Sequence, residues 1–244
     1  MKFLKLALCI VLSSRLLMGQ SATPDKILSD MLQALGGQTF LDVKDIHSSG
    51  RFFSFKHGSL AGSDVFEDYI KFPDMERTEL GVLRNKTINV NRGNEGWVLD
   101  GRDLKPQSAS QVEDFNLGFK TSFDYVTRFV LNQPRTTVQV TGSEIIDFKR
   151  ADIVEVRDSS KNLIRFYVER LSHLPVKLQV RRANKSKLYE EQYSNWHKFQ
   201  GVNTPLYVTR LTEGEKTMEI RLDNAVYSSG LSDNLFNQPT PPAK

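Results

Sequence analysis

Residues 64–72 read DVFEDYIKF, and this stretch shows the pattern that dominates the chain. Every second position from Phe66 to Phe72 is apolar except Asp68, and the positions between them are mixed or polar. An alternation with period two places successive side chains on opposite faces of an extended strand. The stretch therefore predicts a β-strand with one mostly apolar face, which Asp68 interrupts.

The same rhythm extends along the chain in both directions. It begins near Ile46, and short strands are predicted at residues 77–80, 87–90 and 96–99, with turn residues between them. Longer strands are predicted at residues 136–148, 152–157, 163–170, 176–182, 187–199, 202–212 and 217–226. Many of them have one apolar and one charged face, so we expect a large, strongly curved antiparallel sheet with one face in solvent.

Two segments break this rhythm and predict helices. In residues 24–35 apolar side chains recur at helical spacing after Pro24, and two glycines at residues 36 and 37 end the segment. In residues 108–131 aromatic and aliphatic side chains return near helical spacing, with Ser108 or Ser110 as the cap and Pro134 as the stop. The fold class is therefore mainly β (α+β), with a few helices against the sheet.

The first 22 residues predict an export signal. Lys2 and Lys5 precede a short apolar run, which contains the single cysteine Cys9, and small residues follow it. We expect residues 1–22 to be removed and residues 23–244 to form one domain with a frayed, proline-rich C-terminus. Without the signal the formal net charge falls from +4 to about +1. The mature chain would then have no thiol, no transmembrane segment and no basic excess suited to nucleic acid.

The titratable residues form no catalytic pattern. No histidine has the spacing of a metal site; the four are His47, His57, His173 and His197. The motifs of serine hydrolases, zinc proteases and nucleotide-binding loops do not occur. Acidic neighbours such as Glu67 and Asp68, or Glu190 and Glu191, point to opposite faces of a strand and cannot act on one bond. We predict a protein that is not an enzyme and has no cofactor or metal.

The aromatic content allows two interpretations. The chain has 15 phenylalanines, which supply more apolar surface than a thin layer of helix on sheet needs. They form either an ordinary core or the wall of a cavity for an acyl chain or another apolar ligand.

A series of motifs runs through nearly the whole mature chain. The first half contains ALGG (residues 34–37), KFPD (71–74) and NEGWVLD (94–100). The second half contains LPVKL (174–178), YSNW (193–196), GVNTP (201–205) and DNLFNQP (233–239). In this order the motifs resemble those of the bacterial outer-membrane lipoprotein-sorting-like (LolA/LolB-like) proteins. They are structural motifs, since none of them carries a reacting group.

The resemblance implies an unclosed half-barrel in a soluble periplasmic protein that is not lipidated. An N-terminal helix and a central helical segment would lie on the concave side of the sheet. In the sorting carrier, helices form a lid over the cavity that receives lipoprotein acyl chains, so residues 24–35 and 108–131 would be the plug or lid here. We therefore predict a carrier for a lipid or an acylated protein, with an inner- or outer-membrane partner protein and no nucleic acid.

The candidate cavity residues are all aromatic; they are Phe66, Phe72, Trp97, Phe115, Phe119, Phe123, Phe129 and Phe166. An alternative is a protein-interaction or envelope-stress sensor module of the same fold, whose own side chains fill the interior. The volume of the cavity separates the two hypotheses, because a carrier needs several hundred Å³ of apolar space.

Overall fold

Thirteen β-strands form one antiparallel sheet in the computed structural model, which describes residues 23–82, 86–183 and 185–242. The strands are β1 (Asp45–Lys56), β2 (Ser59–Lys71), β3 (Met75–Leu80), β4 (Thr87–Arg92), β5 (Glu95–Asp100), β6 (Asp103–Pro106), β7 (Thr137–Ile146), β8 (Lys149–Arg157), β9 (Leu163–Glu169), β10 (Pro175–Arg181), β11 (Leu188–Phe199), β12 (Val202–Thr212) and β13 (Glu215–Tyr227). The helices are α1 (Pro24–Leu35), α2 (Gln38–Leu41), α3 (Ala109–Lys120) and α4 (Phe123–Tyr125), with a π-helical turn at Val126–Val130 and a 3-10 turn at Asp233–Phe236. The predicted export signal, residues 1–22, lies outside the described residues.

The sheet consists of two meanders joined along one pair of strands. Its order is β6-β5-β4-β3-β2-β1-β13-β12-β11-β10-β9-β8-β7, so consecutive strands are neighbours everywhere except where β1 pairs with β13. The two edges, β6 and β7, do not pair with each other within the described residues. The predicted half-barrel, curved and not closed, is therefore confirmed.

Helix α1 begins and ends where the sequence predicts. The Thr23 hydroxyl accepts a hydrogen bond from the Lys26 backbone N–H at 3.3 Å, and Pro24 occupies the first turn. Gly36 ends the helix with φ at 136°, and a Cβ there would lie 2.7 Å from the Gly201 carbonyl oxygen. The apolar face of α1 is buried against β7, β8 and β12.

The second helical segment follows the edge strand β6. Ser108 caps α3, because its hydroxyl accepts from the Gln111 N–H while the Gln111 side chain accepts from the Ser108 N–H. Of the two serines that the sequence offers, the structure uses Ser108. We call residues 109–130, which comprise α3, α4 and the π-helical turn, the cover. Because β6 and β7 are the two edges of the sheet, the cover runs from one edge to the other.

The interior divides into two parts. Strands β7–β9, with α1 against β7 and β8, form a filled half, in which many side chains are fully buried. Its central residues are Val154, Val156, Ile164 and Phe166, each 0% exposed. Strands β1–β3, β12 and β13 form a hollow half, where the cover lies over the concave face at a distance.

Three short elements were not predicted from the sequence. They are α2, β6 and the 3-10 turn at Asp233–Phe236, each four residues long and too short to show a period. The turn holds the C-terminal segment in place, since Phe236 is fully buried and Arg92 donates to the Asn237 side chain at 2.7 Å. Residues 240–242 beyond it are exposed and have no regular structure. Among the described helices none has the length and apolar character needed to cross a bilayer.

Candidate functional site

A cavity of about 650 Å³ lies between the hollow half of the sheet and the cover. Its floor comes from alternate positions of β1, β2, β3, β12 and β13, which is the face that the period of two selects. Apolar side chains make up most of this wall; they include Phe52, Ile70, Leu80, Val208, Met218, Ile220 and Leu222. The volume is in the range of sites that hold a lipid chain or a drug-sized ligand.

Five of the eight aromatic residues predicted to form the cavity line it. They are Phe66 and Phe72 on the sheet side and Phe115, Phe119 and Phe123 in the cover. The ring of Phe119 lies 6.0 Å from that of Phe72 and 5.6 Å from that of Phe115, in tilted geometry. These contacts connect the cover to the end of β2 through aromatic rings.

The other three lie elsewhere. Phe166 is fully buried in the filled half, where its ring packs edge-on against Phe123 at 6.2 Å. Phe129 packs against Phe72 at 5.5 Å, outside the lining of the cavity. Trp97 lies on β5 opposite Val90 and Pro106, near an edge of the sheet and away from the cavity.

A buried arginine fixes the C-terminal end of the cover. The Arg128 guanidinium lies 3.9 Å above the Phe40 ring, and its Nε donates to the Phe40 carbonyl at 3.1 Å. Its Nη1 bonds to the Asp124 carboxylate one turn earlier, while its Nη2 finds no hydrogen-bond partner among the residues that the structure describes. The side chain is only 1% exposed, so this end of the cover is bound firmly to α2.

Polar contacts at the margin hold the N-terminal part of the cover. The Asn116 amide donates to the Gly93 carbonyl at 2.9 Å, the Arg182 Nε donates to the Thr121 hydroxyl at 3.3 Å, and Lys185 pairs with Asp114 at 3.0 Å. The ion pair of Lys185 and Asp114 is exposed and contributes little, because solvent screens it. The cover is therefore fixed at its C-terminal end by a buried guanidinium, and at its N-terminal end it is held by the aromatic contacts of Phe119 and by these few polar bonds.

The apolar wall is interrupted by a group of polar residues, which we call the polar cluster: Asp68, Glu76, Thr78, Glu191, Tyr193 and Arg210. The Thr78 hydroxyl lies 2.7 Å from Asp68 Oδ1 and 3.3 Å from Glu76 Oε1. Arg210 Nε donates to Glu191 at 2.8 Å, and the Tyr193 hydroxyl donates to the other oxygen of Glu191 at 2.7 Å. The cluster thus brings together β2, β3, β11 and β12 across the concave face.

Burial governs the proton affinities in this cluster. Removal from water raises the pKa of Asp68 to about 6, although the Thr78 hydrogen bond and the Arg210 charge oppose the rise. The pKa of Glu76 rises to about 8, first because of burial and then because of the nearby Asp68. The Glu191 charge raises the pKa of Arg210, so this guanidinium stays charged. At neutral pH the pair of Asp68 and Glu76 therefore retains about one proton.

Sequence reasoning missed the polar cluster, although one signal was present. Asp68 interrupts the apolar face of residues 64–72, and a lone carboxylate on a buried face needs a partner. Glu67 does lie on the opposite face, where it bonds to His47 and Tyr69. The partners of Asp68 come from other strands, and spacing along one strand cannot reveal them.

The histidines take no part in the cavity. His47 stacks on Tyr69 on the convex face at 4.4 Å, and the other three lie outside the lining. In the part of the chain that the structure describes, no group of His, Cys, Asp and Glu is arranged to hold a metal ion.

Comparison with known proteins rests on structure alone. No family model matches the sequence, and no curated protein matches it significantly. A DUF1329 family protein from Desulfovibrio piger superposes with a TM-score of 0.61 at 15% identity, over 88% of this chain and 97% of that one.

Two further solved structures agree. A domain assigned to outer membrane lipoprotein sorting, from Vibrio parahaemolyticus, has a TM-score of 0.55 at 11% identity, over 88% of this chain and 97% of that domain. A LolA superfamily protein from Nitrosomonas europaea has a TM-score of 0.55 at 14% identity, over 89% of this chain and 98% of that one. The sequence resemblance is confirmed at the level of architecture, and the chain has the LolA-like fold.

Proposed function

We propose that the protein is a periplasmic, non-catalytic carrier that binds a lipid or the acyl chains of a lipoprotein. The observation that carries this proposal is the cavity of about 650 Å³ with mostly apolar walls between the sheet and the cover. Burial of an alkyl chain there is favourable by about 0.8 kcal/mol for each methylene. The cost of ordering the chain and displacing the cover opposes this gain.

The two ends of the cover suggest how a ligand enters. The N-terminal part is held by marginal polar contacts, which involve Asp114, Asn116 and Thr121. The C-terminal part is fixed by the buried Arg128. We expect α3 to swing away while the π-helical turn stays in place, so that the apolar chain enters beside Phe115 and Phe119.

A protein-interaction or sensor module with a filled interior is the main alternative. That hypothesis expects side chains to occupy the concave side throughout. The hollow half argues against this alternative, because Phe66 and Ile70 line the cavity. A membrane partner protein that delivers or receives the ligand is compatible with the carrier and forms part of the proposal.

The polar cluster raises the question of an enzyme, because two carboxyls with raised pKa values lie in one cleft. Asp68 and Glu76 are side by side on the same wall and share the Thr78 hydroxyl. A carboxyl pair that acts as acid and base flanks the bond it cleaves from two sides. We therefore assign these carboxyls to binding.

The carrier proposal is tested with alkyl alcohols of increasing length. Protein recovered from the periplasm is delipidated and titrated calorimetrically with alcohols of eight to fourteen carbons. We expect affinity to rise up to about fourfold for each added methylene until the cavity is full. Native mass spectrometry of the same protein before delipidation should detect a bound amphiphile.

The control separates the cavity from the outer surface. Val208→Trp places an indole in the cavity, and Thr209→Trp places it on the opposite face of the same strand. Val208→Trp should abolish binding, and Thr209→Trp should leave it within about twofold of the original. If no amphiphile copurifies and no alcohol binds, the carrier proposal is wrong.

A further inference from the structure

The charges that line the cavity are unbalanced. Six carboxylates contribute to the lining, against two guanidiniums; they are Asp68, Glu76, Asp114, Asp124, Glu190 and Glu191, with Arg182 and Arg210. The chain without residues 1–22, by contrast, has a formal charge of about +1. The cavity is thus acidic inside a protein that is nearly neutral overall.

Most of the charges away from the cluster already have partners. Asp114 pairs with Lys185, and Asp124 pairs with the buried Arg128. Glu190 accepts a hydrogen bond from the Gln179 amide at 2.8 Å, and the Arg182 guanidinium lies 4.1 Å from the Tyr189 ring centre. What remains uncompensated therefore lies in the polar cluster.

Few donors reach the Asp68 and Glu76 carboxyls. The Nε of Arg210 is engaged with Glu191, and the only hydrogen-bond donor to Asp68 or Glu76 from another residue type among the described residues is the Thr78 hydroxyl. A hydroxyl has one hydrogen, and the shorter contact, 2.7 Å, assigns it to Asp68. Glu76 then faces the cavity without a donor from outside the pair, and the one proton that the pair retains at neutral pH leaves it with one net negative charge.

We propose that the cavity selects amphiphiles whose headgroup is an ammonium ion, with Asp68 and Glu76 as its binding groups. This inference rests on the proposed carrier function and specifies its ligand class. A primary ammonium supplies three donors and one positive charge, which are the two things that the pair of Asp68 and Glu76 lacks. A carboxylate or phosphate headgroup in the same position would meet negative charge and unpaired acceptors, so it is disfavoured. Burial is the first cause of the raised pKa of both carboxyls, and at Glu76 the Asp68 charge adds to it.

The test compares three ligands with the same chain. Dodecylamine, dodecanol and dodecanoate are titrated into the full-length protein at pH 7, below the concentration at which each aggregates. We expect dodecylamine to bind at least about tenfold more tightly than dodecanoate, with dodecanol between them. The net charge of the chain without residues 1–22, about +1, does not favour the cation, so such a preference would come from the cavity.

Two variants test whether the preference for the ammonium headgroup comes from Asp68 and Glu76. Asp68→Asn/Glu76→Gln neutralises the carboxyls, and it should bring the three affinities to within about threefold of one another. Glu67→Gln removes a carboxylate from the opposite face of β2 and should keep the order of affinities. Thermal melts of each variant check that the fold is intact.

The outcomes are distinct. If none of the three ligands binds, the carrier proposal fails as well. If all bind with equal affinity, or if the double variant keeps the preference for the amine, the ammonium inference is wrong while the carrier stands. A last comparison, of an acylated peptide with a free amino terminus against phosphatidylethanolamine vesicles, separates a lipoprotein source of the ammonium from a lipid source.

Discussion

The filled half and the hollow half consist of the same kind of strand, but they differ in what covers the concave face. In both halves alternate residues face the concave side. In the filled half α1 covers these residues, and Val154, Ile164 and Phe166 are completely buried. In the hollow half α1 reaches only β12, and Phe66 and Ile70 face the cavity.

The difference shows how one sheet can combine a tightly packed core with an open cavity. Large buried side chains in the filled half stabilise the fold without help from a ligand. Strands β1–β3 and β12–β13 are held mainly by their backbone ladders and by the filled half beside them. Their concave side chains can therefore include the charged residues Asp68, Glu76 and Arg210, which a solid core would not tolerate.

The largest expected effect is a loss of stability that should differ between the filled half and the hollow half. Phe166→Ala should lower the free energy of unfolding by about 3–5 kcal/mol, because it creates a new void in the filled half. Phe66→Ala, which only enlarges an existing cavity, should cost about 1–2 kcal/mol. Urea denaturation of both variants measures the two values. Equal losses would mean that the hollow half is as tightly filled as the other.

Much of this fold could be predicted from the sequence, since the period of two is a local signal. The strands predicted from residue 136 onward lie within a few residues of β7–β13. The helix at residues 24–35 is confirmed, with Pro24 in its first turn and its glycine stop. The pairing of β1 with β13, which makes one sheet out of two meanders, depends on contacts between distant residues and has no signal in the spacing.

The site was less predictable for a physical reason. Aromatic residues are equally suited to a core and to a cavity wall, so Phe166 and Phe119 look alike in the sequence. What separates them is whether a helix lies above the strand, which only the tertiary structure decides. The polar cluster depends on four strands meeting across the concave face, and only Asp68, as an exception within an apolar pattern, pointed towards it.

A second prediction concerns the junction between the two halves. Arg128→Met should lower the free energy of unfolding by about 2–3 kcal/mol, because the Phe40 carbonyl and Asp124 lose a buried partner. The methionine keeps much of the apolar stem and its contact with the Phe40 ring.

Hydrogen exchange should locate the consequence of this substitution. We expect faster exchange in the cover (residues 109–130) and unchanged exchange in β8 and β9. Asp124→Asn, which keeps Arg128 in place, is the matched control and should cost less, since the Asp124 side chain is 37% exposed. Faster exchange in β8 and β9 as well would show that the cover and the filled half unfold together.

The smallest expected effect concerns two glutamates on opposite faces of the hollow half, whose contributions to the free energy of unfolding change in opposite directions with pH. The pKa of Glu76 is raised by burial, so the folded state favours its protonated form. The stability that protonated Glu76 provides is fully present below the ordinary glutamate pKa and is lost as pH rises towards about 8. Glu76→Gln should therefore match the original protein at pH 4.5 and exceed its stability by about 1 kcal/mol at pH 8.5.

Glu67 on the convex face should behave in the opposite way. The hydrogen bond from Tyr69 lowers its pKa, so it stabilises the fold above the ordinary glutamate pKa, and this contribution is lost as pH falls. Because the side chain is 46% exposed, Glu67→Gln should cost only a few tenths of a kcal/mol at neutral pH. Urea denaturation at pH 4.5 and 8.5 compares the two variants. A pH-independent effect of Glu76→Gln would show that this carboxyl is solvated like a surface group.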